Sequence, residues 1–412
     1  METKTQEYDI AIVGGGMVGS TLACSLADSG LKIVVLEATR PAAFSAEQPP
    51  DLRVSALSMA SRKILESVGA WEKVVAKRYC PFRTMRVWEA SGNTEFRADD
   101  IGQPELGYIV ENRLLQLALL EHLEEQNKIE LLCPVATQRI LYNENASIIQ
   151  LEDREIQARL LIGADGANSQ VRQAARIGVS SWDYRQHAMV LNVETAYAQQ
   201  DITWQRFRPS GPQAFLPLSG SYGSLVWYNS PDQVARLKSL SDDALLKELL
   251  VTFPSCLGKI KRILQRGSFP LKRQHALDYV KPGIALIGDS AHTINPLAGQ
   301  GVNIGLLDAA ALAEVIVDAH RAGRDFASLS VLKQYEKQRK MDNLLMMTAM
   351  DAFYRIFSNH FRPAKILRNL GLGVADKFGP AKHRMIRHAM GLEGNLPRLA
   401  RGEQLSMPGN TA

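Results

Sequence analysis

Two glycine-rich stretches lie at opposite ends of the sequence, "VGGGMVGS" at 13–20 and "GDSAHTINPLAGQGVN" at 288–303. Each follows an apolar run and leads into a helical pattern. Each therefore reads as a tight turn that presents backbone amides at a helix start, where an anion such as a phosphate is favoured. Building two such turns roughly 270 residues apart suggests a fold that closes its ends around one long ligand. The competing reading is two unrelated loops and caps.

The first stretch has its context in place. "YDIAIV" (8–13), "MVGSTLACSLADSG" (17–30) and "KIVVLE" (32–37) predict strand, helix and strand, one βαβ unit. Gly14, Gly16 and Gly19 fall where a tight turn, close approach to a pyrophosphate and helix–strand packing are needed. Glu37 ends the second strand, where a carboxylate can accept from both hydroxyls of a ribose. The pattern reads as a nucleotide site and does not separate FAD from NAD.

A middle stretch, "ARLLIGADGANSQVRQAA" (158–175), runs from an apolar segment through Asp165-Gly166 into a helix. Alone it is a common turn pair with a capping serine. At the far end, "IALIGDSAH" brings Asp289 to the end of a strand, where it can accept from a ribityl hydroxyl. Gly299 and Gly301 precede the helix "IGLLDAAALAEVIVDA" (304–319). One cofactor with a ribityl-phosphate arm needs both end loops.

Between these motifs, 53–71 and 112–126 predict helices. The segments 80–108 and 183–275 predict short strands, among them "AMVLNVETA", "TWQRFRPSGPQAFLPL" and "GSLVWYNSP" as antiparallel neighbours. Everything after 303 reads as helix. At 412 residues the chain exceeds a single core, so two joined domains are expected. With 46% hydrophobic and 22% charged residues, disordered and fibrous classes are excluded. Cys24, Cys80, Cys133 and Cys256 form no CxxC pair, which points to a reducing compartment and to no metal site. The N-terminus has no apolar signal core, and no run approaches the roughly 18 apolar residues of a membrane span. Residues 1–320 carry 32 basic and 36 acidic side chains, whereas 321–412 carry 16 and 7, a net of +9. That tail is either a solvated helical face or attracted to something acidic. With no zinc-finger, RNP-type or basic-zipper pattern, nucleic acid is not the expected partner.

The three motifs, in this order and spacing, resemble the flavin-dependent aromatic hydroxylases related to p-hydroxybenzoate hydroxylase. "LRVSALSMAS", "LGYIVEN", "LLIGADGANSQVR", "HTINPLAGQGVN" and the later "MGL" resemble more narrowly the ubiquinone-biosynthesis hydroxylases. "SLVWYNSP" and "HALDYVKPG" look most like their demethoxyubiquinol branch. The resemblance implies an α/β fold in which a Rossmann-like FAD-binding domain is interrupted by a β-rich substrate domain, with a helical C-terminal region. The expected FAD-binding parts are 1–80, 109–182 and 276–330, the substrate domain 81–108 and 183–275, and the helical region 331–412.

By the same resemblance, Gly14, Gly16, Gly19 and Glu37 would hold the ADP half of FAD, and Arg53 would reach the pyrophosphate or flavin. Asp289 would bind the ribityl chain, while Gly299, Gly301, Val302 and Asn303 would edge the flavin ring. Asp165 and Arg172 match a motif associated with both FAD and NAD(P)H. Many wider relatives carry an arginine where this chain has Asn112, with Arg113 beside it, so either could make the flavin contact. The implied reaction is hydroxylation of a polyprenylated quinol ring with NADH or NADPH and O2, the protein supplying position and water exclusion. Another ring position in the same pathway, a flavin dehydrogenase or lipid reductase, and a flavin-bearing scaffold of a quinone-synthesis complex remain alternatives.

His292 and Pro296 are candidates near the chemistry, with a structural histidine as the competing reading. Phe215, Pro217 and Trp227 are candidate pocket walls. In 344–372, Met346, Met350, Phe353 and Phe357 recur at helical spacing beside Arg355, Arg362, Lys365 and Arg368. This stripe either packs on the body or meets a membrane or partner. The expected location is cytoplasmic, with peripheral attachment to the inner face of the cytoplasmic membrane as a finer expectation.

Overall fold

The computed structural model describes residues 5–89, 92–254, 258–294, 301–357, 387 and 390–405, without the side chains of 353–357. Strand β1 (Thr5–Val13), helix α1 (Met17–Leu26) and strand β2 (Ile33–Leu36) form a βαβ unit with parallel strands. Covered on both faces, these strands are continuous apolar runs rather than alternating ones. Ile10, Ala11, Ile12, Val34 and Val35 are fully buried.

The segment 53–71, expected as one helix, divides. Val54–Leu57 pairs with Gly107–Glu111, which also pairs with Cys80–Phe82. Helix α2 (Met59–Ser67) begins only after Ser58, whose Oγ accepts from the Ser61 amide at 3.2 Å. A capping serine ends the helix on that side, so the strand before it is free to join a sheet. Helix α3 (Asn112–Gln126) follows, and β3 (Glu155–Gly163) lies parallel to β1 on the side away from β2. The short helix α4 (Gln170–Ala174) comes next.

The second layer holds β4 (Val179–Thr195), β5 (Ile202–Arg206), β6 (Gln213–Pro217), β7 (Tyr222–Asn229) and β8 (Ile260–Ala276). Among the described residues its eight strands run in the order His292–Thr293, β8, β4, β7, β6, β5, Thr84–Glu89 and Gly92–Arg97. Strand β4 begins at Val179, a few residues before the expected boundary at 182. Helices α5 (Pro231–Ser239) and α6 (Asp242–Thr252) interrupt a stretch expected to be strands alone. Ser230 and Ser241 cap them, each side chain accepting a backbone N–H at 3.3 Å.

The two faces of this sheet differ. On one, Met189, Leu191, Trp204, Phe215, Leu225 and Trp227 pack on the apolar sides of α5 and α6. On the other, Ala188, Tyr228 and Leu271 are buried, and Leu216 joins the core of the nucleotide layer. Asn192 Nδ2 donates from this second face to the carbonyls of Pro50 and Asp51, at 2.8 and 2.9 Å.

The chain then returns to the first layer. Strand β9 (Ile284–Leu286) pairs parallel to β3, and α7 (Gly301–Arg321) and α8 (Leu329–Phe357) follow. The described end is not helical throughout. Residues 390–405 are turns with one short helix, Arg398–Arg401, because Gly391, Gly394 and Pro397 break the pattern. This strap crosses α2 and α7. The Ala60 amide donates to Met390 O at 3.2 Å, and Leu399, Ala400 and Leu405 enter the core.

Candidate functional site

The two end loops adjoin. A Cβ on Gly288 would stand 3.2 Å from Val18 Cγ2, and one on Gly305 only 2.7 Å from the same atom. Glycine at both points lets α1, α7 and the turn after β9 pack closely. Around them the three glycines of the first loop do different work. Gly14 holds φ +105°, and a Cβ there would be 2.4 Å from Ala164 O. Gly19 would place a Cβ 1.9 Å from Gly14 O, so the helix lies directly on the turn. Gly16, at the N-cap of α1, faces open space with nothing within 4 Å.

That space belongs to a cavity of about 490 Å³ lined by Gly14, Gly16, Glu37, Gln116, Thr137 and Asp165, among others. Glu37 sits at its wall, one carboxylate oxygen accepting the Thr39 amide at 3.0 Å. Asp165 Oδ2 takes the amides of Gln170 and Val171 at 2.7 and 3.2 Å. Its Oδ1 is buried without a partner, so one carboxylate oxygen remains for whatever enters.

Asp289 stands at the turn after β9. Its side chain is accessible, yet protein walls it closely enough that burial pushes its carboxyl above the usual range. Opposing charges from His292 and Arg53 offset part of that shift. Arg53, itself exposed, lies near the same carboxylate. The loop before it is held from both layers, by Asn192 on the sheet and by Arg113 and Glu111 on the nucleotide side. Arg113 Nε donates to Asp51 Oδ2 at 2.8 Å, and the Asp51 amide donates to Glu111 Oε2 at 2.6 Å.

The family follows from comparison with known proteins. Residues 7–347 match the family described as FAD binding domain. The chain is 46% identical to 3-demethoxyubiquinol 3-hydroxylase of Escherichia coli K12, over 94% of this chain and 99% of that one. It is 39% identical to ubiquinone hydroxylase UbiL of Rhodospirillum rubrum, covering 96% and 93%. With human ubiquinone biosynthesis monooxygenase COQ6 the identity is 33%, covering 93% and 92%. The chain belongs to the FAD-dependent ubiquinone-biosynthesis hydroxylases. Among solved structures, p-nitrophenol 4-monooxygenase PnpA of Pseudomonas putida shares the fold at a TM-score of 0.76 and 18% identity, covering 94% and 98%.

The described residues fit FAD. The open cradle at Gly16 and the unpartnered Asp165 oxygen share one cavity that offers groups for a dinucleotide, and the Asp289 turn packs beside it through Gly288 on Val18. Other residues of the hydroxylase resemblance stand elsewhere than a direct contact would need. Arg172 is buried and braces two motifs, donating to Ser290 O at 2.7 Å and Ala167 O at 2.6 Å. Asn303 turns its side chain to protein: its Oδ1 accepts from the Ser58 amide and Ser61 Oγ at 2.9 and 2.7 Å, and its Nδ2 donates to Ala56 O at 2.8 Å. Asn112 accepts from Ser55 Oγ at 2.8 Å, while Arg113 reaches the carbonyls of Ala42 and Ala43.

Phe215 and Trp227 are corrected as pocket walls. Strand alternation turns them onto α5 and α6, into the core behind the sheet, and Pro217 follows Phe215 by two residues onto the same face. His292 is also corrected as a free base. It is 2% exposed and its Nε2 is engaged by Asp308 Oδ2 at 2.5 Å. Pro296 and Gly299 lie outside the described residues. Gln116 and Thr137 were not anticipated. Gln116 falls one helical turn after Asn112, a spacing that could have flagged it, whereas nothing in "CPVATQ" marks Thr137.

Proposed function

We propose that this chain hydroxylates the ring of a polyprenylated quinol at the demethoxyubiquinol step, with NADH or NADPH and O2 as co-substrates. The carrying observation is the 46% identity to the Escherichia coli enzyme along nearly the full length of both chains. The adjoining glycine loops supply the physical basis. The chemistry that bound FAD supplies is reduction of O2 with electrons from NAD(P)H, one oxygen atom going to the ring and the other to water.

The chain's own residues bind, orient and keep water out. The N-terminal amides of α1 would hold the pyrophosphate at the open Gly16 cradle. Glu37 would accept from the ribose hydroxyls, Asp165 Oδ1 would gain the donor it lacks, and Asp289 would accept from the ribityl arm. The ring of the substrate would lie against the second face of the sheet, beside half-buried Val226. Apolar walls there exclude water that would otherwise divert the reduced oxygen from the ring.

Oxygen-dependent NAD(P)H oxidation by the purified protein, coupled to a ring product one oxygen heavier, tests the activity. Product mass from the demethoxy quinol fixes the step. Conversion only of a quinol open at another position would reassign it. NAD(P)H oxidation without ring product under any quinol would favour a scaffold or a dehydrogenase.

The lipid tail of such a substrate gives a role to the net +9 charge of 321–412. We read that region as drawing the enzyme to an anionic membrane surface, where each basic residue near the surface contributes about 1 kcal/mol. Among the described residues no helix is long and apolar enough to cross a membrane. Arg362, Lys365 and Arg368 lie outside the described residues, as does the side chain of Arg355. Changing the four to Gln should reduce sedimentation with anionic vesicles at low salt and spare turnover of a short-chain quinol. Equal sedimentation would leave the tail a solvated face.

A further inference from the structure

We propose that Asp308, with His292 and Arg339, forms a positioning network that fixes the Gly288–Asp289 turn of the flavin site and ties it to the substrate sheet through α8. His292 in this assignment is a positioning residue, not a base. The role rests on the flavin reading above.

Asp308 lies on α7 and is fully buried. Its Oδ2 accepts the Gly288 amide at 3.2 Å and His292 Nε2 at 2.5 Å. Its Oδ1 accepts Arg339 Nε at 3.1 Å and Asn343 Nδ2 at 3.0 Å. Both carboxylate oxygens are thus doubly occupied. A carboxylate this deep persists as an anion only when paired and hydrogen-bonded. Arg339, whose side chain is 4% exposed, supplies the charge.

Gly288 is where this matters most. It sits in the left-handed region at φ +60°, a conformation that glycine adopts freely and leaves as freely. Its N–H donates to Asp308, which together with Arg172 on Ser290 O and Ser290 Oγ on Gly163 O holds the turn, and the next residue is Asp289. Three residues beyond Asp289, His292 is held twice, by its imidazole on Asp308 and by its backbone beside His275 of β8. The imidazole N–H that points at a carboxylate cannot also take a proton from a substrate at the same atom.

Helix α8 extends the network to the other layer. Arg339 and Asn343 grip Asp308 near its first half. Further along, Asp351 is 7% exposed and accepts from Tyr184 Oη of β4 and Arg273 Nη1 of β8. One helix therefore holds the flavin turn at one point and the substrate sheet at another. Displacing Asp308 or His292 changes where Asp289 stands relative to the sheet face that carries the ring.

Variants of the full-length chain test this by FAD titration of stripped protein, visible circular dichroism of the bound flavin, and the ratio of NAD(P)H oxidised to ring product. His292→Leu leaves Asp308 Oδ2 short of one donor. It should weaken FAD binding by about tenfold, the loss of one hydrogen bond to a charged group, and change the flavin dichroism. His292→Asn, too short to reach, should do the same and serves if the leucine variant does not fold. His292→Gln keeps an N–H aimed at Asp308, and should rescue FAD affinity, dichroism and ring product relative to both. Wild-type affinity and dichroism in both the leucine and asparagine variants would reduce the network to packing. A glutamine variant that binds FAD normally but forms no ring product would make His292 a participant in the chemistry. Failure of the unaltered chain to take up FAD would instead overturn the flavin reading itself.

Discussion

Gly14 and Gly16 are two residues apart and are glycine for different reasons. At Gly14 the backbone is left-handed and a side chain would strike Ala164 O, so Gly14→Ala strains the folded chain itself. At Gly16 a side chain meets nothing in the protein, and only a cofactor would feel it. Gly14→Ala should therefore cost the cofactor-free protein about 1–3 kcal/mol in urea unfolding. Gly16→Ala should leave that stability within about 0.5 kcal/mol while weakening FAD titration. Equal stability losses would mean that both glycines serve the turn alone. Glu37→Ala should weaken FAD by roughly 1–3 kcal/mol through lost hydrogen bonds to a charged group; unchanged retention would remove Glu37 from the ribose. These residues could be named from sequence because their geometry is local. Arg172 and Asn303 could not be read so well, since their partners, Ser290 O and the start of α2, are more than a hundred residues away.

The same contrast holds for elements. The βαβ unit announces itself because buried parallel strands are unbroken apolar runs. Val54–Leu57 is not legible as a strand because only four residues separate the loop from the Ser58 cap. Helices α5 and α6 were overlooked, although Ser230-Pro231 and Ser241-Asp242 are helix-start signals. Strand β8 carries a pH-sensitive residue at its end. Burial, with the charges of His292, Lys340 and Arg273 behind it, pushes the His275 imidazole down to about 4 from 6.5. Between those values the unfolded chain binds a proton that the folded chain refuses. Stability is therefore complete above pH 6.5 and falls as the pH drops toward 4, by on the order of 3 kcal/mol. His275→Gln should flatten the stability difference between pH 7 and pH 5 in denaturant unfolding. An unchanged slope would place the titration elsewhere.

At the scale of the molecule, the substrate sheet sorts its residues by alternation, and strand spacing alone did not say which face meets the cofactor layer. Phe215 and Trp227 are aromatic and strand-borne, features that a pocket wall and a core residue share. The helices behind the sheet, unseen in sequence, are what claim them. The face toward the nucleotide layer is instead given by Asn192 reaching Pro50 and by Val226 packing near Ala188, Tyr228 and Leu271. Two substitutions on opposite faces of paired strands separate these roles. Phe215→Leu removes volume from a fully buried site and should cost about 1–3 kcal/mol in unfolding free energy. Its ratio of NAD(P)H oxidised to ring product should stay at the wild-type value. Val226→Ser, on a half-buried position of the other face, should cost less stability but admit water beside the ring, so that more NAD(P)H is consumed for each product formed. If Phe215→Leu uncouples the reaction and Val226→Ser does not, the ring lies on the helix side of the sheet, and the cleft has been assigned to the wrong face.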